Sequence, residues 1–132
     1  MALRLPAIER KEQVLDVALA VFAVKGFHDT SMNDIAEAAG VTKPVVYQHY
    51  ESKRALFLAI IDHVGDRMID VLTAATSGLT DGQDQVEAGM VAFFKWVERD
   101  KNAFKFLFDS GTQNDEEFTV AIRKVLDRSA EA

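Results

Sequence analysis

Five side chains close together in the first half of this 132-residue chain differ in chemistry in a way that suits the edges of base pairs. Lys43 can donate hydrogen bonds to O6 or N7 of guanine, and Gln48 suits the N6 and N7 atoms of adenine. Pro44 and Val45 offer apolar surface that matches the methyl group of thymine, and Thr42 adds a hydroxyl. We therefore predict that these residues read base pairs in the major groove of DNA.

The surrounding sequence predicts two short helices and a tight turn that would position these side chains. Ser31, followed by Asp34, forms a variant of the capping box that begins a helix. Gly40 ends this helix, because so tight a turn needs a positive φ, which glycine adopts without steric cost. The second helix, Lys43–Tyr50, has a proline in its first turn, where no backbone hydrogen bond is lost. This is the layout of a helix-turn-helix.

Apolar residues recur at steps of three and four along the rest of the chain, as they do in amphipathic helices. The predicted helices cover residues 8–25, 32–39, 43–50, 53–75, 84–99, 101–108 and 116–128. The fourth would be a rod of about 34 Å. The fifth is expected to carry Trp96 near its edge and to turn one apolar face inward, formed by Val86, Met90, Phe93, Phe94 and Val97. Strand-like alternation is lacking, so the predicted fold class is all-α.

Composition narrows the class of protein. With Cys 0 there is neither a disulfide framework nor a thiolate metal site. No apolar run approaches the roughly 20 residues that a membrane span needs, and the first residues do not form a secretory signal. We therefore expect a cytoplasmic protein without membrane contact. The net charge of -6 arises after residue 60, because the basic and acidic residues of 1–60 cancel.

Motifs of catalysis are missing from the sequence. There is no HExxH, no glycine-rich phosphate loop and no cysteine nucleophile. His28, His49 and His63 lack the spacing of a catalytic triad or a metal site. We predict that the protein is not an enzyme and has no catalytic residue, metal or cofactor.

The first 60 residues or so resemble the TetR family of bacterial transcriptional regulators. The positions that carry the resemblance are Arg10, Ala18, Phe22, Gly26, Phe27, Thr30, Ile35, Ala36, Ala39, Gly40, Val41, Thr42, Val46, Tyr47, Gln48, His49, Tyr50, Ser52, Lys53 and Leu56. Their combined spacing is far more specific than a loose helix-turn-helix pattern. The chain departs from many members at Lys43-Pro44-Val45, where a small residue is common.

The resemblance implies two domains. Residues 1–52 would form a three-helix DNA-binding bundle with the helix-turn-helix, and the long fourth helix would join it to a helical ligand-binding and dimerisation domain, residues 53–132. Family members usually continue through two further long helices, so the second domain is expected to be incomplete and truncated inside its seventh helix.

The implied activity is that of a ligand-responsive transcriptional regulator. The resemblance implies a homodimeric repressor that a small-molecule inducer releases from a palindromic operator in double-stranded DNA, through a tilt of the fourth helix. Two alternatives stay open. The protein would act as an activator, or it would be an all-α protein-interaction module that does not bind DNA.

The same resemblance assigns phosphate contacts to Thr30, Tyr47, His49 and Lys53. Hydroxyls and an imidazole can donate to phosphate oxygens, and Lys53 would stand beside the N–H groups that begin the fourth helix. For Tyr47 and His49, packing in the core is the alternative.

Aromatic residues crowd the second half of the chain and predict a pocket for an apolar or aromatic inducer. The candidate pocket residues are Met68, Phe93, Phe94, Trp96, Phe104 and Phe108. Core packing is the alternative for each of them. Asp62, Asp66 and Asp70 recur every four residues, which is typical of a solvated acidic stripe rather than of a metal site.

Overall fold

The computed structural model describes residues 6–108 and 115–131, and these residues form helices joined by short turns, with no strand. The helices are α1 Ala7–Lys25, α2 Met32–Ala39, α3 Lys43–His49, α4 Lys53–Thr76, α5 Gly82–Arg99, α6 Lys101–Phe108 and α7 Glu116–Glu131. The all-α fold and the order of its helices agree with the sequence prediction. We call α1–α3 the head and α5–α7 the body, with α4 joining the two.

Local capping signals fix the ends of the helices in the head. The Ser31 hydroxyl accepts from the Asp34 amide at 3.0 Å, and the Asp34 carboxylate accepts from the Ser31 amide at 3.0 Å, which completes the predicted capping box. Gly40 ends α2 in the left-handed conformation, at φ 69 and ψ 30. The Ser52 hydroxyl accepts from the Ala55 amide at 3.0 Å and begins α4. Local capping thereby fixes both ends of α2 and the start of α4.

Two other helix ends in the head lack a side-chain cap or a left-handed cap. Thr42 occupies the N-cap position of α3, but its side chain makes no cap hydrogen bond. Gly26 follows α1 with a positive φ of 84, but its ψ of 164 is extended rather than left-handed helical. Its carbonyl instead accepts from the Thr30 hydroxyl at 2.7 Å. The chain therefore leaves α1 extended and is held by a side chain that follows four residues later.

Five phenylalanines from the head, α4 and the body form one aromatic core. The ring of Phe57 on α4 lies 5.2 Å from that of Phe22 and 4.5 Å from that of Phe106, between ring centroids. Phe118 on α7 lies 4.4 Å from Phe57 and 4.9 Å from Phe27. Such rings contribute packing energy beyond the area that they bury. The head and the body thus share a core across α4.

The prediction for α5 is wrong in part. Val86, Met90 and Phe94 were expected inside, yet they are 64%, 55% and 59% exposed, while Trp96, expected near the edge, is buried at 5%. Phe93 and Val97 are half-buried. The helix packs on α4 and α6 along the edge that carries Trp96, and the described residues leave its broader apolar face uncovered. Periodicity identified the apolar face but could not identify the helices that meet it.

Charged side chains join elements that are distant in the sequence. Arg54, in the first turn of α4, pairs with Asp115 at 2.8 Å and with Glu117 at 2.9 Å, and its guanidinium lies 4.5 Å from the ring centre of Phe118. Hydrogen bonds from Arg54 hold the pKa of Asp115 below its usual value. The start of α7 is therefore fixed against the start of α4.

Among the described helices, none is both long and apolar enough to cross a membrane.

Candidate nucleic-acid interface

Helix α3 presents one face to solvent and anchors the opposite face in the head. Val46 is fully buried, and Tyr50, directly after the helix, is 7% exposed. The Tyr50 hydroxyl lies 3.4 Å from the Lys11 carbonyl, to which it donates. Two buried side chains four residues apart hold one edge of so short a helix against α1 and α2. The other edge is open to solvent.

The outward edge carries most of the residues predicted to contact DNA. Lys43, Pro44, Tyr47 and Gln48 on α3, together with the preceding Thr42, are exposed. Val45 and His49 are half-buried beside them. None of the ion pairs among the described residues includes Lys43. The structure therefore brings seven of the nine predicted residues onto one surface.

The position of Thr30 contradicts its predicted contact with phosphate. Its side chain is buried at 2% exposure, and its hydroxyl donates to the Gly26 carbonyl at 2.7 Å. A buried hydroxyl with an acceptor inside the protein cannot also donate to a phosphate on the surface. In this structure Thr30 fixes the turn between α1 and α2.

Lys53 also has an acceptor within the protein. Its ammonium donates to the Phe27 carbonyl at 2.8 Å and lies 4.2 Å from the centre of the Phe27 ring. The hydrogen bond and the cation–π contact tie the first turn of α4 to the α1–α2 loop. The predicted role in phosphate binding would fall to the remaining ammonium protons, since Lys53 is half-buried.

Sequence patterns did not single out Arg10 as a candidate contact, but the structure places it beside α3. A hollow between the start of α1 and α3 is lined by Arg10, Val45, Gln48 and His49, with Ala7, Val41 and Thr42 completing it. The only signal in the sequence was its place in the run that resembles the TetR family. A side chain from a different helix could not be assigned to this face without the packing of α1.

The predicted ligand residues do not surround one cavity among the described residues. Met68 and Trp96 belong to the core, at 2% and 5% exposure. Phe104 and Phe108 are partly exposed and pack on one another, with ring centroids 4.9 Å apart. Phe93 and Phe94 instead line an open groove between α4 and α5, together with Leu72, Thr76, Gln85, Val86, Gly89 and Met90. The described residues therefore do not bring the six side chains together in one pocket: two belong to the core, two pack on one another and two line the groove.

The acidic stripe on α4 is exposed. Asp62, Asp66 and Asp70 are open to solvent, and Asp66 accepts a hydrogen bond from Arg128 at 3.3 Å. Within the described part of the chain, no three His, Asp or Glu side chains are grouped so that they could hold a metal ion.

Comparison with known proteins identifies the family. Residues 14–60 match the family described as "Bacterial regulatory proteins, tetR family". The crystal structure of a TetR-like transcriptional regulator from Rhodococcus sp. RHA1 superposes with a TM-score of 0.84 and is 33% identical, with 95% of this chain and 67% of that chain covered. The chain belongs to the TetR family.

Two curated relatives give the family match a functional context. The HTH-type transcriptional activator FasR of Mycolicibacterium smegmatis is 37% identical over 107 residues, which cover 81% of this chain and 49% of FasR. The probable acrEF/envCD operon repressor of Escherichia coli is 41% identical over 51 residues, which cover 39% of this chain and 23% of the repressor. The chain thus spans about half or less of these TetR-family relatives. Both are named as regulators and not as enzymes, in agreement with the sequence prediction.

Proposed function

We propose that this chain is a ligand-responsive, DNA-binding transcriptional regulator in which α3 enters the major groove. The observation that carries the proposal is the division of α3 into a buried edge and an exposed edge, the latter bearing Lys43, Tyr47 and Gln48. An all-α interaction module would not need this mixture of donors beside apolar tips. The mixture suits base edges and phosphates, which lie side by side on a groove wall.

Within this proposal the residues divide by role. Thr42, Lys43, Pro44, Val45 and Gln48 read bases, whereas Tyr47, His49 and Lys53 contact phosphates. The roles differ in a measurable way, since a phosphate contact affects all sequences and a base contact affects one position.

The proposed arrangement places DNA binding in residues 1–52 and ligand response and dimerisation in residues 53–132. A homodimer would bind a palindromic operator in the cytoplasm, with one head on each half-site. The ligand would be a small apolar molecule, aromatic ones included, because the groove between α4 and α5 is lined largely by apolar side chains such as Leu72, Met90 and Phe93.

Selection of binding sites tests the proposal directly. The purified protein is mixed with a random-sequence duplex library, and the bound duplexes are recovered and sequenced over several rounds. We expect one enriched sequence, with affinity that falls steeply as salt rises. Lys43→Ala should cost about 1–3 kcal/mol on that duplex and relax discrimination at one base pair.

A double variant and a control distinguish sequence-selective binding in the groove from nonspecific electrostatic attraction between the protein and DNA. Lys43→Ala combined with Tyr47→Ala should abolish selective binding, whereas Lys95→Ala, on the exposed side of α5, removes one positive charge and should leave it unchanged. Failure to enrich any duplex, or an enriched duplex that both kinds of variant bind equally, would contradict the proposal.

The direction of regulation needs its own test. The resemblance to the TetR family favours a repressor. The match to FasR favours an activator, because that alignment covers the longer stretch of this chain and FasR is named as an activator. A reporter gene placed behind the selected duplex distinguishes them. Reporter output falls if the protein is a repressor and rises if it is an activator.

The response to ligand is tested separately. A panel of apolar and aromatic small molecules, added to the protein–duplex complex, should contain compounds that change the affinity of the protein for the duplex.

A further inference from the structure

The position of Arg10 between two helices of the head has a consequence for DNA binding. We propose that Arg10 binds a backbone phosphate and so sets the position of α3 in the groove. The inference rests on the proposed function and adds a contact from α1 to it. It is carried by three observations: a relay of hydrogen bonds, the location of the hollow, and the lack of an internal counter-charge among the described residues.

A relay of two hydrogen bonds orients the Arg10 guanidinium. The Arg10 Nη1 donates to Oε1 of Gln13 at 2.6 Å, and the Gln13 Nε2 lies 3.4 Å from the carbonyl of Ala39, to which it donates. Ala39 is the last residue of α2, directly before the turn that leads into α3. The guanidinium is therefore positioned relative to the helix-turn-helix and not only relative to its own helix. A side chain held in this way loses less conformational freedom when it binds.

The location of Arg10 puts its remaining donors on the reading side. It lines the same hollow as Gln48 and His49, with the apolar surface of Val45 between α1 and α3. His49 is a predicted phosphate contact and Gln48 a predicted base contact, so a strand that both residues touch would pass this hollow. A guanidinium has five N–H donors in a planar fork, of which Gln13 uses one. The fork matches the two oxygens of a phosphate.

The charge of Arg10 is not neutralised within the described residues. None of the ion pairs of the described chain includes it, whereas Arg54, Arg67 and Arg128 each pair with at least one aspartate. The acceptor that Gln13 offers is neutral. A half-buried guanidinium without a carboxylate beside the reading helix is suited to an anionic ligand from outside, and DNA carries one phosphate per nucleotide.

Salt titration of duplex binding tests the inference. The probe is the duplex that the wild-type protein enriches from the random library, with a scrambled duplex of equal length beside it. Arg10→Ala should weaken binding to both duplexes by a similar factor, about tenfold. The slope of log affinity against log salt should become shallower by about 0.9 for each head bound, which is the change expected when one phosphate is no longer neutralised by the protein.

Matched variants isolate the charge from the fold. Arg10→Lys keeps a positive charge without the fork and should recover part of the affinity and the full salt slope. Gln13→Ala removes the relay but not the charge, so it should weaken binding while the slope stays unchanged. Arg123→Ala, which alters an arginine on α7, should change neither quantity. Circular dichroism and thermal melting establish that each variant is folded.

Each outcome bears on one hypothesis. Unchanged affinity and slope for Arg10→Ala would overturn the inference. A loss confined to the selected duplex would also overturn it, since that result assigns Arg10 to a base edge. If the wild-type protein enriches no duplex at all, the proposed function fails before Arg10 is tested, so the two failures are distinguishable.

Discussion

A tight approach between α4 and the body is made at a glycine, and filling it tests the packing of the fold. A Cβ added at Gly65 would lie 2.7 Å from both Cγ1 and Cγ2 of Val125 on α7, and 3.1 Å from Nη2 of Arg128. Rotation of Val125 offers little relief, because a valine in a helix has one strongly preferred rotamer. Gly65→Ala therefore requires α4 and α7 to separate or the valine to strain.

The expected change in the free energy of unfolding of Gly65→Ala is the balance of two opposing contributions. Alanine stabilises a helix interior over glycine by about 0.8–1 kcal/mol, and overpacking a core costs about 1–3 kcal/mol. Gly89 on α5 provides the matched control, since a Cβ there meets only Cγ2 of Thr76, at 3.8 Å. Gly89→Ala should therefore gain the stabilisation that alanine gives a helix interior, without the cost of overpacking. We expect the free energy of unfolding of Gly65→Ala to lie below that of Gly89→Ala by about 1–3 kcal/mol, which isolates the clash.

Urea denaturation of the variants measures this difference. Val125→Ala should destabilise the protein, because a buried side chain is truncated. In that background, however, Gly65→Ala should become neutral or stabilising, since the two methyl groups that oppose the new Cβ are gone. This reversal of sign is the coupling expected of residues in contact. If Gly65→Ala raises the unfolding midpoint as much as Gly89→Ala does, the close packing of α4 on α7 is wrong.

Two further predictions concern the head. Hydrogen bonds from the Ser31 amide and then from Lys25 lower the pKa of Asp34, so its contribution is present above the unfolded aspartate pKa of about 4 and is lost as the pH falls through the lower folded value. Asp34→Asn should therefore be less stable than wild type in urea at pH 7, and the gap should narrow as the pH falls below about 4; a constant gap would contradict the charge argument. Thr30→Val removes the buried bond to the Gly26 carbonyl and should cost about 1 kcal/mol of stability, while the salt slope of duplex binding stays unchanged. A shallower slope would restore Thr30 to the phosphate contacts.

The elements that sequence predicted well are those with local signals. Ser31 and Ser52 cap helices in the structure. In each case the serine hydroxyl accepts a hydrogen bond from the backbone amide three residues further along the chain. Gly40 ends α2 because its backbone conformation disfavours other residues. Interactions of such short range depend on residues that are close in the sequence, so a local sequence pattern predicts the bounds of most helices.

The contacts and burial that the sequence did not predict share a different cause. The hydroxyl of Thr30 and the ammonium of Lys53 have acceptors in the protein that no local pattern announces, namely two main-chain carbonyls around the α1–α2 loop. Trp96 and Phe94 are two residues apart on one amphipathic helix, yet one is buried and the other exposed, because only the edge that contacts α4 and α6 is covered. These positions depend on tertiary packing, and hydrophobic periodicity contains no information about it.

The shared aromatic core also restricts how a ligand could act on DNA binding. A tilt of α4 by itself would pull Phe57 away from Phe22 on one side and from Phe106 and Phe118 on the other. A close-packed interior resists such a gradual shear, so it favours movement of packed units over bending within them. The tie from Lys53 to the Phe27 carbonyl adds the same constraint at the first turn of α4. The proposed response to ligand is therefore expected to move the head, α4 and the parts of the body that share this core as one unit, which would change the spacing between two heads of a dimer more than the shape of either one.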